Sequence, residues 1–309
     1  MIAAAPPLAR DFESVLLSSP TLEVVCVPEL GGRVCSLVNR RTGREWLWRR
    51  PGEPALFQPA DPLDFGTGTF AGLDECFPTV GPGAWVDGRV LPDHGDVWAR
   101  AWKIGARTPE LLELTVESPP WEFRLRRTIQ LRESVVHFSY ELESLANRYA
   151  PALWSMHPLF SIREGDRLEL PASVRELRVE SSDASVQRSS VLYPEISPGV
   201  RLDELALFDL ERGYLKAFAG PVWASDARAA IVNRASGESL EVRWDAAAAP
   251  YLGLWLTRGG YRGWHHVGIE PTNAPFDRVD LAARDAHTAF AVTLPPRSRR
   301  RWWVEWRLS

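Results

Sequence analysis

Hydrophobic and polar residues alternate along much of this chain. Residues 21–27 (TLEVVCV), 111–116 (LLELTV), 121–131 (WEFRLRRTIQL), 134–143 (SVVHFSYELE), 239–244 (SLEVRW) and 289–294 (AFAVTL) alternate or run rich in β-formers. A period of two is the signature of half-buried strands. Gly31-Gly32, Thr42-Gly43, Ser118-Pro119-Pro120, Ser236-Gly237 and Pro295-Pro296 punctuate these runs. Many short strands with such breakers predict an all-β protein, a sandwich or barrel. With 25 prolines and 22 glycines, long helices are not expected. Short helical pieces are expected near 201–207 and 282–287. No repeat, low-complexity segment or linker interrupts the pattern, so the expectation is a single domain over 1–309. Such β domains often exceed 200 residues.

Residues 50–100 break the alternation. They are rich in Pro, Gly and Asp and carry no sustained strand pattern. A long irregular stretch inside a compact domain usually has a function. Leu30-Gly31-Gly32-Arg33, by contrast, reads as a tight turn between two strands.

Composition narrows the function classes. The chain is 45% hydrophobic and 25% charged, with a formal net charge of -4. That balance argues against a nucleic-acid partner. The cluster Arg297, Arg299, Arg300 and Arg301 precedes Trp302-Trp303-Val304-Glu305-Trp306 and reads as the polar start of a last strand. Cys26, Cys35 and Cys76 are odd in number and lack metal-ligand spacing, so reduced thiols in a cytoplasm are expected. The first seven residues do not read as a signal peptide. No run of about eighteen apolar residues occurs, so no membrane span is expected.

Three islands carry the candidate chemistry: Pro92-Asp93-His94-Gly95, Ser155-Met156-His157-Pro158 and Gly268-Ile269-Glu270-Pro271. A following proline disfavours the helical region, so His157 and Glu270 should be held extended. Two imidazoles and one carboxylate, each stiffened by its backbone, are what general acid–base chemistry requires. Trp98, Trp154, Trp255 and Trp264 lie near these islands, and flat aromatic rings suit the C–H faces of a sugar. The other tryptophans of the fourteen, such as Trp121, Trp244 and Trp302, read as core. His137 shares a strand face with polar residues and should be solvated, and His287 should be at the surface. His266 would share the face of Glu270 and could line the same pocket. No close pairing of metal ligands, no nucleophile elbow, no phosphate loop and no dinucleotide fingerprint is present, so neither a metal nor a cofactor is expected.

Taken in order, these islands resemble the galactose mutarotase-like superfamily, the aldose 1-epimerases and their relatives. The resemblance runs from Val27-Pro28-Glu29-Leu30-Gly31-Gly32-Arg33-Val34 through the loop histidine of Asp93-His94-Gly95 and the strand histidine of His157-Pro158-Leu159-Phe160. It ends at Gly268-Ile269-Glu270-Pro271-Thr272-Asn273 and Leu294-Pro295-Pro296. It implies a large twisted antiparallel β-supersandwich with its site on a concave face. It implies that Glu270 takes the proton from an anomeric hydroxyl, that His157 protonates the ring oxygen, and that His94 binds or polarises the same region of the sugar. Opening a hemiacetal needs such a base and acid, expected to titrate near neutrality. The chain departs from the best-known galactose mutarotases. Gly72-Leu73-Asp74-Glu75-Cys76-Phe77-Pro78 stands where an asparagine-arginine segment is expected, and Pro158 and Leu159 replace an asparagine and a tyrosine. The sugar is therefore left open.

The reading is an aldose 1-epimerase acting on a free aldose, with a small-molecule sugar as its partner. Asp74, Glu75, Trp98, Trp154, Trp255 and Trp264 are the expected substrate-binding residues. Another carbohydrate enzyme on the same scaffold (a lyase, isomerase or hydrolase) is the alternative, with Glu75 and Glu270 as paired carboxylates. A sugar-binding protein without turnover is the third, although a binder needs no acid–base set.

Overall fold

The computed structural model describes residues 12–52, 56, 59, 61, 64–182, 189–205 and 213–309. Two large sheets dominate them. The first has eleven strands. Its order is Val15–Ser18, Leu22–Val27, Arg33–Asn39, Leu73–Cys76, Ser155–Pro158, His265–Thr272, Tyr251–Arg258, Tyr214–Ala219, Glu176–Ser182 and Ser190–Leu192, with Arg44–Glu45 pairing the third of these. The second has eight: Asp166–Glu169, Arg228–Asn233, Ser239–Trp244, Arg299–Leu308, Val135–Ser144, Phe123–Arg132, Leu111–Ser118 and Lys103–Arg107. Neighbouring strands of both sheets run antiparallel. The architecture is the all-β supersandwich that the alternation and the resemblance together imply.

Alternation makes the core. On the second sheet Leu125, Ile129, Phe138, Leu142, Val304 and Trp306 turn inward and are buried. They join one cluster with Val24, Leu37, Met156, Leu254 and Ile269 of the first sheet. Each fully buried side chain of this size contributes roughly 1.5–3 kcal/mol. On the outer face of the second sheet Arg124, Arg299 and Arg301 pair across strands with Glu117, Glu143 and Glu141. Arg299 and Arg301 of the basic cluster thus belong to a solvated ladder, whereas Arg300 turns the other way and donates to the Ala291 carbonyl.

Some local expectations are corrected. Residues 289–294 do not form one strand. Ala289–Val292 is a helical turn and only Thr293–Leu294 is extended. The Asp285 carboxylate accepts from the backbone N–H groups of His287 and Thr288, winding the chain here and leaving Phe290 exposed. The helix expected at 282–287 lies earlier, at Val279–Ala282. At 201–207 the chain ends the short strand Val200–Arg201 and turns, with 206 and 207 outside the described residues. Pro119–Trp121 winds into a 3-10 turn, so the next strand starts at Phe123. The turn at Leu30–Arg33 has Gly31 and Gly32 at φ 68° and 61°. A Cβ on Gly31 would stand 2.0 Å from the Trp98 carbonyl oxygen. Among the described residues no helix is long and apolar enough to cross a membrane.

Candidate active site

The strand Ser155–Pro158 lies between Leu73–Cys76 and His265–Thr272. Its register pairs His157 with Asp74 and Ser155 with Thr272. Two steps along that second ladder His157 comes opposite Glu270, which is itself paired with Gly253, and Gly253 with Phe218. One cross-strand row therefore runs Asp74, His157, Glu270, Gly253, Phe218. The prolines after His157 and Glu270 are tolerated within these strands and keep both residues extended.

An open cleft of about 300 Å3 lies over this row. That is the lower end of the range for small-molecule sites. Its polar walls carry His94, His157, His266, Lys216 and Asp277, and its apolar walls Phe65, Phe70, Leu159, Trp255, Tyr261 and Trp264. The irregular stretch 50–100 supplies Asp64, Phe65, Gly66, Phe70, Val80, Asp93 and His94 to the lining.

His157 Nε2 stands 3.6 Å from Glu270 Oε1. Glu270 is fully buried beneath the cleft, and its Oε2 accepts from Lys216 Nζ. Glycine makes room for this carboxylate. A Cβ on Gly268 would lie 2.7 Å from Oε1, and one on Gly253 3.1 Å from Oε2. His94 is held at φ 61° in the loop after Pro92. Its ring stacks on Phe65 at 3.7 Å between centroids and meets the His157 ring edge-on at 5.0 Å. The Asp93 carboxylate lies 3.0 Å from His94 Nδ1, which orients the imidazole.

Burial, with His94 and Lys216 adding to it, drives the imidazolium of His157 well below its ordinary range. His157 is therefore a neutral imidazole at neutral pH, not a group titrating near neutrality. His266 is pushed down to about 3 by burial and by His157 and His265. Trp255 Nε1–H donates to His266 Nε2 at 2.9 Å, which places the His266 proton on Nδ1. Burial lowers the Lys216 ammonium less than Glu270 and Asp277 raise it, so it stays charged.

The expected site residues separate into three groups. His94, His157, Trp255 and Trp264 line the cleft, and Glu270 lies directly under it. Asp74 shares the row but is buried against Arg33, 2.6 Å away, and burial raises its carboxyl to about 6 despite that partner. It lies beside His157 without lining the cleft. Trp98 is also behind it, buried with its indole N–H on the Gly95 carbonyl and its ring edge-on to Phe65. Glu75 and Trp154 face the other way. Glu75 accepts from Arg127, Tyr140 Oη and Trp154 Nε1 between the two sheets. Strand alternation puts Glu75 and Asp74 on opposite faces, so Glu75 and Glu270 are not a catalytic carboxylate pair. His137 sits beside Glu305 on the outer face of the second sheet. Among the described residues no group of three or more His, Cys, Asp and Glu is placed to hold a metal ion.

Comparison with known proteins decides the family. The sequence model of Aldose 1-epimerase matches residues 13–277. The chain belongs to the aldose 1-epimerase family. Solved structures share its fold. The Slr1438 protein of Synechocystis sp. is 18% identical, with a TM-score of 0.70 over 100% of this chain and 99% of that one. A galactose mutarotase related enzyme of Lactobacillus acidophilus is 17% identical, with a TM-score of 0.68 over 96% and 97%. The GalM/aldose epimerase homologue of C. elegans is 13% identical, with a TM-score of 0.68 over 96% and 99%. No curated protein matches the chain.

This epimerase-family cleft contains residues that sequence reasoning missed. Lys216 is the clearest. It is a single cation in the apolar run Tyr214–Ala219, and a lone charge in such a strand was its only signal. Phe65 was signalled only as part of the irregular stretch 50–100, and Tyr261 and Asp277 had no signal, because loops bring them in.

Proposed function

We propose that the protein interconverts the anomers of a free aldose by opening and reclosing the hemiacetal ring. The observation that carries this reading is the separation of 3.6 Å between His157 Nε2 and Glu270 Oε1 at the foot of a sugar-sized cleft. The anomeric hydroxyl oxygen and the ring oxygen sit on one carbon, so adjacent acid and base atoms can address both. Glu270 takes the hydroxyl proton as the bond from the anomeric carbon to the ring oxygen breaks. The N–H of His157 protonates the ring oxygen. A neutral imidazole is a weak acid, near in strength to the sugar hydroxyl it creates, which suits this transfer. Rotation of the aldehyde and the reverse transfers close the ring on the other face. His94, steadied by Phe65 and Asp93, contacts the same oxygens. Trp255 and Trp264 offer their rings to the sugar C–H face.

Anomer exchange of a bound aldose, followed by NMR saturation transfer across a panel of sugars, tests the reading. Glu270→Gln should keep binding and slow exchange by about 10²–10⁴-fold. His157→Asn should do the same to a similar degree, and the double variant should be little worse. Unchanged exchange in Glu270→Gln with binding intact would remove Glu270 from the mechanism. Binding of a sugar without exchange in the unaltered protein would leave a sugar-binding protein.

A further inference from the structure

We infer that Lys216 is the positioning residue of the site: its ammonium engages Oε2 of Glu270 and leaves Oε1 as the oxygen that takes the substrate proton. This rests on the mutarotase reading. Three observations carry it. Lys216 Nζ donates to Oε2 and lies 3.6 Å from Asp277 Oδ1, so it is held from two sides. Oε1 is buried and has no hydrogen-bond partner among the described residues, and His157 Nε2 stands 3.6 Å from it. A buried carboxylate oxygen without a partner is an unmet acceptor, and this one faces His157, which lines the cleft. Third, the carboxylate is seated in space that Gly268 and Gly253 leave open, where a Cβ would stand 2.7 Å from Oε1 and 3.1 Å from Oε2.

Stability is a poor reason for this arrangement. Burying an ammonium and a carboxylate costs desolvation that their attraction often only offsets, and apolar replacements are frequently neutral. Lys216 is nevertheless almost fully buried, pairs with Trp255 on the adjacent strand, and reaches the cleft lining. It also brings a fixed positive charge that the neutral His157 lacks. The ionisable groups around Glu270 are Lys216, His157, Asp277 and Cys76. Lys216 is the permanent cation in that set.

The test is a double-mutant cycle on anomer exchange at saturating sugar. Lys216→Met should slow exchange by about 10²-fold, the scale of a misplaced reacting group, with sugar affinity little changed. In a Glu270→Gln background the same change should cost less than about twofold, since a residue acting only through Glu270 has nothing left to position. An equal cost in both backgrounds, or a loss confined to sugar affinity, overturns the inference. A second readout needs no turnover. In a crystal structure of Lys216→Met the Glu270 carboxylate should turn away, with Oε1 no longer beside His157 Nε2, and Lys216→Arg should restore its orientation, because the ammonium on Oε2 is what holds it. If Lys216→Met fails to fold, Lys216→Gln carries the same test. A Glu270 carboxylate unmoved by loss of the cation overturns the inference. Absence of exchange in the unaltered protein strikes the mutarotase reading, while the crystal structures still decide whether Lys216 positions Glu270.

Discussion

Asp74 and Glu75 are neighbours in the chain and face opposite ways. Both sit on Leu73–Cys76, where successive side chains point to opposite faces. Asp74 shares its row with His157, whereas Glu75 enters the space between the sheets and takes three hydrogen bonds there. Alternation alone says that the two diverge, but it does not say which one faces the cleft. The structural role of Glu75 makes a prediction. Glu75→Gln leaves the Arg127 guanidinium buried without its counter-charge, which should cost about 3–5 kcal/mol in urea unfolding. Exchange per folded molecule should stay within about twofold, since Glu75 does not reach the cleft. A large loss of exchange at unchanged stability would return Glu75 to the site.

At the scale of elements, the site is a product of strand register. Asp74, His157, Glu270, Gly253 and Phe218 line up because five strands pair antiparallel without a slip among them. A shift of one residue would turn His157 or Glu270 into the core. The glycines beside Glu270 are part of the same device. Gly268→Ala places a Cβ 2.7 Å from Glu270 Oε1 and 3.1 Å from Trp255 Cβ. The side chains must move, and under the proposed function exchange should fall by about 10²-fold, the scale for displacing a reacting group. Thermal unfolding and sugar exchange measured together check this, and full activity in Gly268→Ala would show that the carboxylate is not confined. The islands at His157 and Glu270 were legible because a following proline restricts a residue locally. The segment 289–294 misled because the hydrogen bonds of Asp285 and Thr288 outweigh a pattern only six residues long.

For the whole molecule, buried histidines make stability depend on pH. An exposed His accepts a proton near 6.5, whereas His266 in the folded protein accepts one only near 3. Below 6.5 the unfolded chain takes up a proton that the folded chain refuses. The stabilisation is therefore fully present above 6.5 and lost as pH falls. Between pH 7 and pH 5 this amounts to about 2 kcal/mol. His157 acts in the same direction. Asp74 acts in the other: its carboxyl is raised to about 6, so the folded protein binds that proton first, and its contribution grows as pH falls through 6 toward 4. Comparison with His266→Asn isolates the histidine. Over that interval the variant should lose about 2 kcal/mol less than the unaltered chain in urea unfolding. Parallel pH profiles would show that His266 is protonated in the folded state.

The class of fold and the candidate site residues follow from local patterns in the chain. Period-two burial needs only neighbouring residues, and the X-Pro islands restrict themselves, so strands, turns and the candidates His94, His157 and Glu270 could be read along the chain. Which face each strand presents, that Glu270 lies beneath the cleft and not in its wall, and that Lys216, from a strand 54 positions earlier, meets its carboxylate all depend on how distant segments pack. So does the neutrality of His157, because desolvation depends on every element packed around a group and not on its neighbours in sequence.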